Sequence, residues 1–290
     1  MHPINKVILG TVQFGLDYGI NNRLGKPSFG TVKRILDKAY AAGIKTLDTA
    51  GAYGDAIDII AQYHQLGDHR FAVINKLQAK VHSANVSVTV REYLQKLDIP
   101  NFEAYLFHNY TDYINRKETV AELREEKEKG FIKNIGVSIY TNEEFEFLLA
   151  ENQVDLIQLP FNLLDNENQR GALLKRAKEQ GMIVHIRSVF LQGLFFKMLH
   201  TLPAVVKPLL PYLQRLHTIA MEENVSIGEI ALGYALSNSF VDGVLIGVES
   251  EEQLDGNLQL VRKVIASNVI ERINQIFVKE KELLNPVNWK

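Results

Sequence analysis

The sequence predicts an α/β chain of the (β/α)8 type, a TIM barrel, with extra helices before the eighth strand and at the C-terminus. Three observations carry that expectation. Short β-branched or apolar runs alternate with longer amphipathic segments, which implies parallel strands joined by crossover helices. Eight such runs can be found, and eight suit a closed barrel better than an open sheet. The length of 290 residues exceeds a common domain size of about 150, yet α/β barrels reach about 250 as one unit. No linker rich in Gly, Ser or Pro divides the chain, so residues 1–290 are expected to form a single barrel domain.

The expected strands are residues 6–9, 46–49, 71–76, 104–108, 135–138, 156–159, 183–187 and 244–247. Helices are expected between them. Val32, Ile35, Leu36 and Ala39 fall at helical spacing, and Gly43 can cap that helix in the left-handed conformation. Val90, Tyr93, Leu94 and Leu97 make a second apolar stripe. Leu173, Leu174 and Ala177 make a third, stopped by Gly181. Thr141 and Asn142, followed by two glutamates, read as a helix start. Ser226 with Glu229 three residues on reads as a capping box. The stretch 194–223 is too long for one crossover and should hold an extra helix. The tail after Val261 should add a last helix, followed by a coil over NPVNWK.

Composition excludes several functions. Lys plus Arg is 32 and Asp plus Glu is 34, so no basic excess invites nucleic acid. The charged stretch 116–133 mixes Lys127 and Lys129 with Glu122, Glu125, Glu126 and Glu128, and reads as a solvated helix face. The absence of cysteine rules out disulfides, thiolate catalysis and Cys-ligated metals. His64 and His69 are spaced poorly for a metal pair and read as surface residues, so no metal is expected. No signal-like N-terminus and no run of about 20 apolar residues is found, so the expected location is cytoplasmic, without membrane contact.

Catalytic groups of such barrels sit at the C-terminal ends of strands and in the loops that follow. Asp48, Lys76, His108, Ser138, Gln158, Arg187 and Ser188 stand at or near those ends, inside otherwise apolar runs. Tyr53 follows Asp48 by five residues in LDTAGAYG. Each alone is unremarkable; the barrel makes them converge on one mouth. A buried Lys and Asp are costly unless paired. Other templates fail: no G-x-G-x-x-G opens a βαβ unit, Gly19 to Lys26 misses P-loop spacing, and neither H-E-x-x-H nor G-x-S-x-G occurs.

These residues together resemble the aldo-keto reductase family. LDTAGAYG resembles its D-x-A-x-x-Y-G motif, and GTVQFG its opening strand. GFIKNIGVS, IRSVFLQGLF and GVESEEQLDGN resemble its later strand and cofactor segments. The resemblance runs from about Ile8 to Asn257. It implies a tetrad of Asp48, Tyr53, Lys76 and His108 that moves hydride between a nicotinamide cofactor and an aldehyde, ketone or sugar carbonyl, with Tyr53 as general acid or base. It implies cofactor contacts from Gly10, Thr11, Asp48, Ser138, Gln158, Arg187, Ser188, Leu191, Gly193, Gly247, Ser250, Gln253 and Asn257. Arg187 stands where an aromatic ring often stacks on the nicotinamide, and its guanidinium plane could stack there instead. The expected substrate walls are Phe14, Tyr18, Tyr110, Phe161 and the tail around Trp289. The implied partner is a small carbonyl compound or its alcohol.

The sequence departs from the family pattern at three places. Ile139 replaces an Asn, and Val189 replaces a Pro. At the adenosine end Glu249, Glu251 and Glu252 stand where cations often meet the 2′-phosphate. Family habit favours NADP(H), and these carboxylates keep NAD(H) open. The same residues also allow a cofactor-sensing regulatory subunit with little turnover, or a lyase or isomerase using Lys76 as a Schiff base.

Overall fold

A computed structural model of the chain describes residues 3–22, 24–77 and 86–289. Its elements in chain order are β1 (Val7–Gly10), α1 (Val12–Gly15), α2 (Phe29–Ala42), β2 (Thr46–Asp48), α3 (Ala56–Gln65), β3 (Ala72–Leu77), α4 (Val86–Leu97), β4 (Ala104–Phe107), α5 (Tyr110–Asn115), α6 (Thr119–Glu128), β5 (Ile135–Ser138), α7 (Asn142–Glu151), β6 (Leu156–Pro160), α8 (Glu167–Glu179), β7 (Ile183–Arg187), α9 (Leu210–Glu222), α10 (Ile227–Ser237), β8 (Gly243–Gly247), α11 (Glu251–Val261) and α12 (Ser267–Asn274). The strands pair in sequence order, all parallel, and β8 closes on β1 through Val7–Val244 and Gly10–Gly247. This is the (β/α)8 barrel that the alternation predicts.

The helix signals work as their chemistry requires. Gly43 caps α2 at φ 98°, a left-handed conformation that glycine adopts without steric cost. Thr141 with Glu144 and Ser226 with Glu229 each form a complete capping box. The long β7–β8 connection holds α9 as an added helix, preceded by 3-10 turns. The tail differs from expectation: Pro286–Trp289 forms a 3-10 turn rather than coil. The Trp289 indole donates to the Leu283 carbonyl at 2.8 Å, which anchors that turn.

Two residues differ from their expected setting. His64 is fully buried, not at the surface. Its Nδ1 donates to the Leu97 carbonyl at 2.7 Å and its Nε2 accepts from the Phe71 amide at 3.2 Å, so both ring nitrogens are used in joining α3 to its neighbours. Glu126 is not solvated either; Arg91 and Lys129 enclose its carboxylate.

Most of the core lies between the sheet and the helices, where each helix lays its apolar stripe. A second, smaller cluster fills the barrel itself: Ile8, Ile74, Ala104, Leu106, Leu156 and Leu245. Beside it stands His185, whose ring fits because β8 begins with a glycine. A Cβ on Gly243 would lie 2.5 Å from His185 Cδ2. Burial pushes the His185 imidazole down to about 4. Its ordinary value is about 6.5, so between these limits the unfolded chain binds more protons than the native one and stability rises with pH. Lowering the pH from 7 to about 4 is therefore expected to remove about 3 kcal/mol through this group, at about 1.4 kcal/mol for each tenfold change in proton affinity. Urea unfolding across that range should show a shallower acid loss in His185→Gln; a slope equal to wild type would assign the loss elsewhere.

Candidate active site

At the C-terminal ends of the strands the inward rows turn polar. A side chain two residues on keeps the same face of a strand. Ile74 in the barrel interior is thus followed by Lys76, Leu106 by His108, and Leu156 by Gln158. These three join Asp48, Tyr53, Ser138, Arg187, Gly10, Thr11 and Gly247 around one cleft of about 820 Å3. The tetrad residues named from the sequence therefore share a single mouth.

Asp48 and Lys76 form its floor. Their side chains are only 3% and 2% exposed, and Oδ1 of Asp48 is ion-paired with Nζ of Lys76. The second carboxylate oxygen accepts from Gln158 Nε2 at 2.8 Å. Burial alone would lower the Lys76 ammonium, but the Asp48 carboxylate and the Tyr53 phenol outweigh it and the net shift is upward. Lys76 Nζ also stands 5.2 Å from the centre of the Tyr53 ring. His108 meets that ring edge to face, with centroids 5.9 Å apart. Burial pushes the Tyr53 phenol up, and Lys76 pulls it back only in part. Burial and the Lys76 charge hold the His108 imidazole below its ordinary value.

Tyr53 lies on the loop after β2, five residues beyond Asp48, and two glycines hold that loop. Gly54 adopts φ 56°, and a Cβ there would meet the Gly15 carbonyl oxygen at 2.3 Å. A Cβ on Gly15 would lie 1.8 Å from the Tyr53 carbonyl oxygen. Tyr-Gly in the motif thus reflects backbone contact between α1 and the Tyr53 turn. Gly15→Ala must push that turn away. The expected cost is about 1–3 kcal/mol of stability and up to about 10²-fold in kcat, read by urea unfolding and steady-state kinetics.

The far end of the cleft is built by the loops after β7 and β8. Ser188, Gly193, Gly247, Gln253 and Asn257 line it as expected. Two expected residues do not. Leu191 is fully buried in the core. Ser250 caps α11, its hydroxyl accepting from the Gln253 amide at 3.3 Å. Of the three glutamates there, Glu251 turns to Arg34 at 2.5 Å, whereas Glu249 lines the cleft. The β7 loop touches the β1 loop across this end, where Gln192 donates to the Tyr18 hydroxyl at 2.8 Å.

The substrate walls need more correction. Tyr18 lines the cleft, but Phe14 is fully buried in the core and Phe161 stacks on Tyr234 with centroids 5.3 Å apart. Tyr110 turns outward against Phe147. The cleft is lined instead by Tyr140, Asn109, Phe190, Gln192, Phe196 and Val287, which sequence reading did not name. Val287 brings the tail to the cleft in place of Trp289. Tyr140 and Asn109 stand two residues past the ends of β5 and β4, a signal that was available; the others depend on how long loops fold.

Residues 6–277 match the family model described as the aldo/keto reductase family. The chain is 27% identical to the uncharacterized oxidoreductase YqkF of Bacillus subtilis, over 81% of this chain and 85% of that protein. It is 25% identical to an NADH-specific methylglyoxal reductase of Escherichia coli, over 76% and 79% respectively. Its fold resembles the holo form of aldo-keto reductase AKR11C1 from Bacillus halodurans, with TM-score 0.76, 19% identity and 95% and 94% coverage. It also resembles the glycerol dehydrogenase AKR11B4 of Gluconobacter oxydans, with TM-score 0.74, 19% identity and 93% and 90% coverage. A barrel of this topology, a polar cleft at its strand ends and a family match over nearly the whole chain agree: the protein belongs to the aldo/keto reductase family and is an oxidoreductase.

Proposed function

We propose that this protein reduces an aldehyde, ketone or sugar carbonyl to an alcohol, or runs the reverse, with Tyr53 as the general acid or base. The observation that carries the reading is the buried Asp48–Lys76 pair set beside the phenol of Tyr53 in one cleft. A phenol is a weak acid, with an ordinary value near 10. Its burial here keeps it protonated until the substrate oxygen needs the proton. The O–H bond of Tyr53 then breaks, the carbonyl oxygen takes the proton, and the Lys76 ammonium stabilises the phenolate left behind. Asp48 holds Lys76 in its charged form. His108, kept neutral, can hydrogen-bond the carbonyl oxygen and orient it. The same ion pair argues against a Schiff base, since an ammonium held charged is no nucleophile.

The cofactor would be a nicotinamide dinucleotide, as aldo-keto reductases use. The donor set fits one. Gln158 Oε1 and Gln13 Oε1 are buried without a partner, and both side chains line the cleft. Gln158 and Ser138 would hold the carboxamide, while Gln253, Asn257 and the loop at Ser188 and Gly193 would hold the remainder. When bound, the reduced ring supplies the hydride to the carbonyl carbon. The resemblance favours NADP(H), while the Glu249 carboxylate at the far end opposes a 2′-phosphate. Fluorescence titration with NADPH and NADH should therefore show Glu249→Gln tightening NADPH more than NADH; equal changes would put Glu249 away from the 2′ position.

The reading is tested by mixing the protein with NADPH or NADH and a panel of aldehydes and aldoses, and following loss of the reduced nicotinamide signal. Turnover supports it. Tight cofactor binding without turnover on any carbonyl would favour a regulatory, cofactor-sensing role.

A further inference from the structure

Arg187 is the cation of the cleft lining that the tetrad does not use. It ends β7 and is half-buried. Its guanidinium lies 4.2 Å from the centre of the Tyr140 ring, so one of its faces is already covered. Nη2 donates to the Ile139 carbonyl at 3.1 Å. That occupies one of five N–H donors. Among the described residues no carboxylate is ion-paired with it.

Elsewhere this fold pairs its buried arginine fully. Arg170 grips Asp165 with two hydrogen bonds, at 2.7 and 2.8 Å. It also donates to the carbonyl of Tyr140 at 2.6 Å, so the platform under Arg187 is itself fixed. The carboxylate at the floor of the cleft, Asp48, is taken by Lys76 and Gln158. The cleft lining beside the tetrad thus carries two cations, Lys76 and Arg187, and one carboxylate, Asp48, already paired, while Asp112 acts on His108 from the first turn of α5. The charge of Arg187 acts on Tyr53 and His108, at the tetrad end of the cleft.

We propose that Arg187 is the oxyanion receptor of the substrate site, and that the physiological substrate is a carbonyl compound carrying a carboxylate or phosphate group. The proposal rests on the cleft being the site of carbonyl reduction. A guanidinium held flat by stacking presents its N–H edge, the geometry that binds such groups in pairs of parallel hydrogen bonds.

The test compares matched substrates: succinic semialdehyde against butanal, and glyceraldehyde phosphate against glyceraldehyde. Wild type should favour the charged member of at least one pair by about 10–100-fold in kcat/KM, the worth of a charge-assisted hydrogen bond. Which pair shows it tells carboxylate from phosphate. In Arg187→Gln that ratio should fall at least about tenfold, and Arg187→Lys should keep part of it. No preference in wild type, or a ratio unchanged in Arg187→Gln, would overturn the proposal while leaving the reductase reading intact. Arg187→Gln that weakens NADPH or NADH binding and slows both members alike would assign the cation to the cofactor, which also overturns it. A calorimetric arm needs no turnover: with cofactor present, γ-hydroxybutyrate should bind more tightly than butanol, and Arg187→Gln should abolish the difference. Equal binding of both by wild type counts against the proposal even where the reductase reading has failed for want of turnover.

Discussion

Tyr53→Phe should lower kcat by about 10²–10⁴-fold, the usual contribution of a positioned proton donor. The substitution removes one oxygen and leaves the ring, which keeps its edge-to-face contact with His108 and its place over Lys76. Cofactor affinity, read by fluorescence, should change little, and so should the unfolding midpoint. A variant that retains most of its kcat would move the proton to another donor, His108 being the nearest. A variant that loses cofactor binding would instead make Tyr53 a structural part of the cleft.

Lys76→Met should be the most destabilising single change at the mouth. Removing one partner of a buried ion pair leaves the other charge without compensation and costs about 3–5 kcal/mol. Asp48 would keep only its bond from Gln158 Nε2. Urea unfolding should show that loss. Adding Asp48→Asn should restore much of the stability, since the orphaned charge is gone. It should not restore turnover, because the phenolate of Tyr53 would still lack its ammonium. If the single variant were as stable as wild type, the pair would be hydrated and Lys76 would not stay charged for the reason given. The two measurements together separate what the pair contributes to folding from what it contributes to catalysis.

The barrel was legible because its strands are short apolar runs whose ends carry polar residues. Where such a residue continues an inward row, as Lys76 continues Ile74 and Gln158 continues Leu156, the period of two fixes its aim. Loop residues have no such constraint. Phe14 and Phe161 lie close to strand ends in sequence, yet the chain turns both into the core, and Tyr110 turns outward. Ser250 shows a different limit: the sequence implies a cofactor contact, and the structure adds that its hydroxyl caps the first turn of α11. His64 looked like a surface residue because nothing local announces that Leu97, 33 residues on, and Phe71, seven residues on across the turn into β3, provide both of its partners. The resemblance implies a cofactor contact for Arg187, but that no carboxylate among the described residues is ion-paired with it is a fact of three dimensions.

The fit of His185 against Gly243 binds two strands in their histories as well as in space. Any side chain at position 243 meets the imidazole and also Ile8, whose Cδ1 would lie 2.6 Å from a new Cβ. The imidazole in turn fills room that only a missing side chain leaves. Neither position can drift alone. Descendants of this chain that shrink residue 185 become free to enlarge residue 243, and those that enlarge 243 first pass through a crowded barrel. Across relatives, the two positions should therefore trade volume, large against small, as a linked pair.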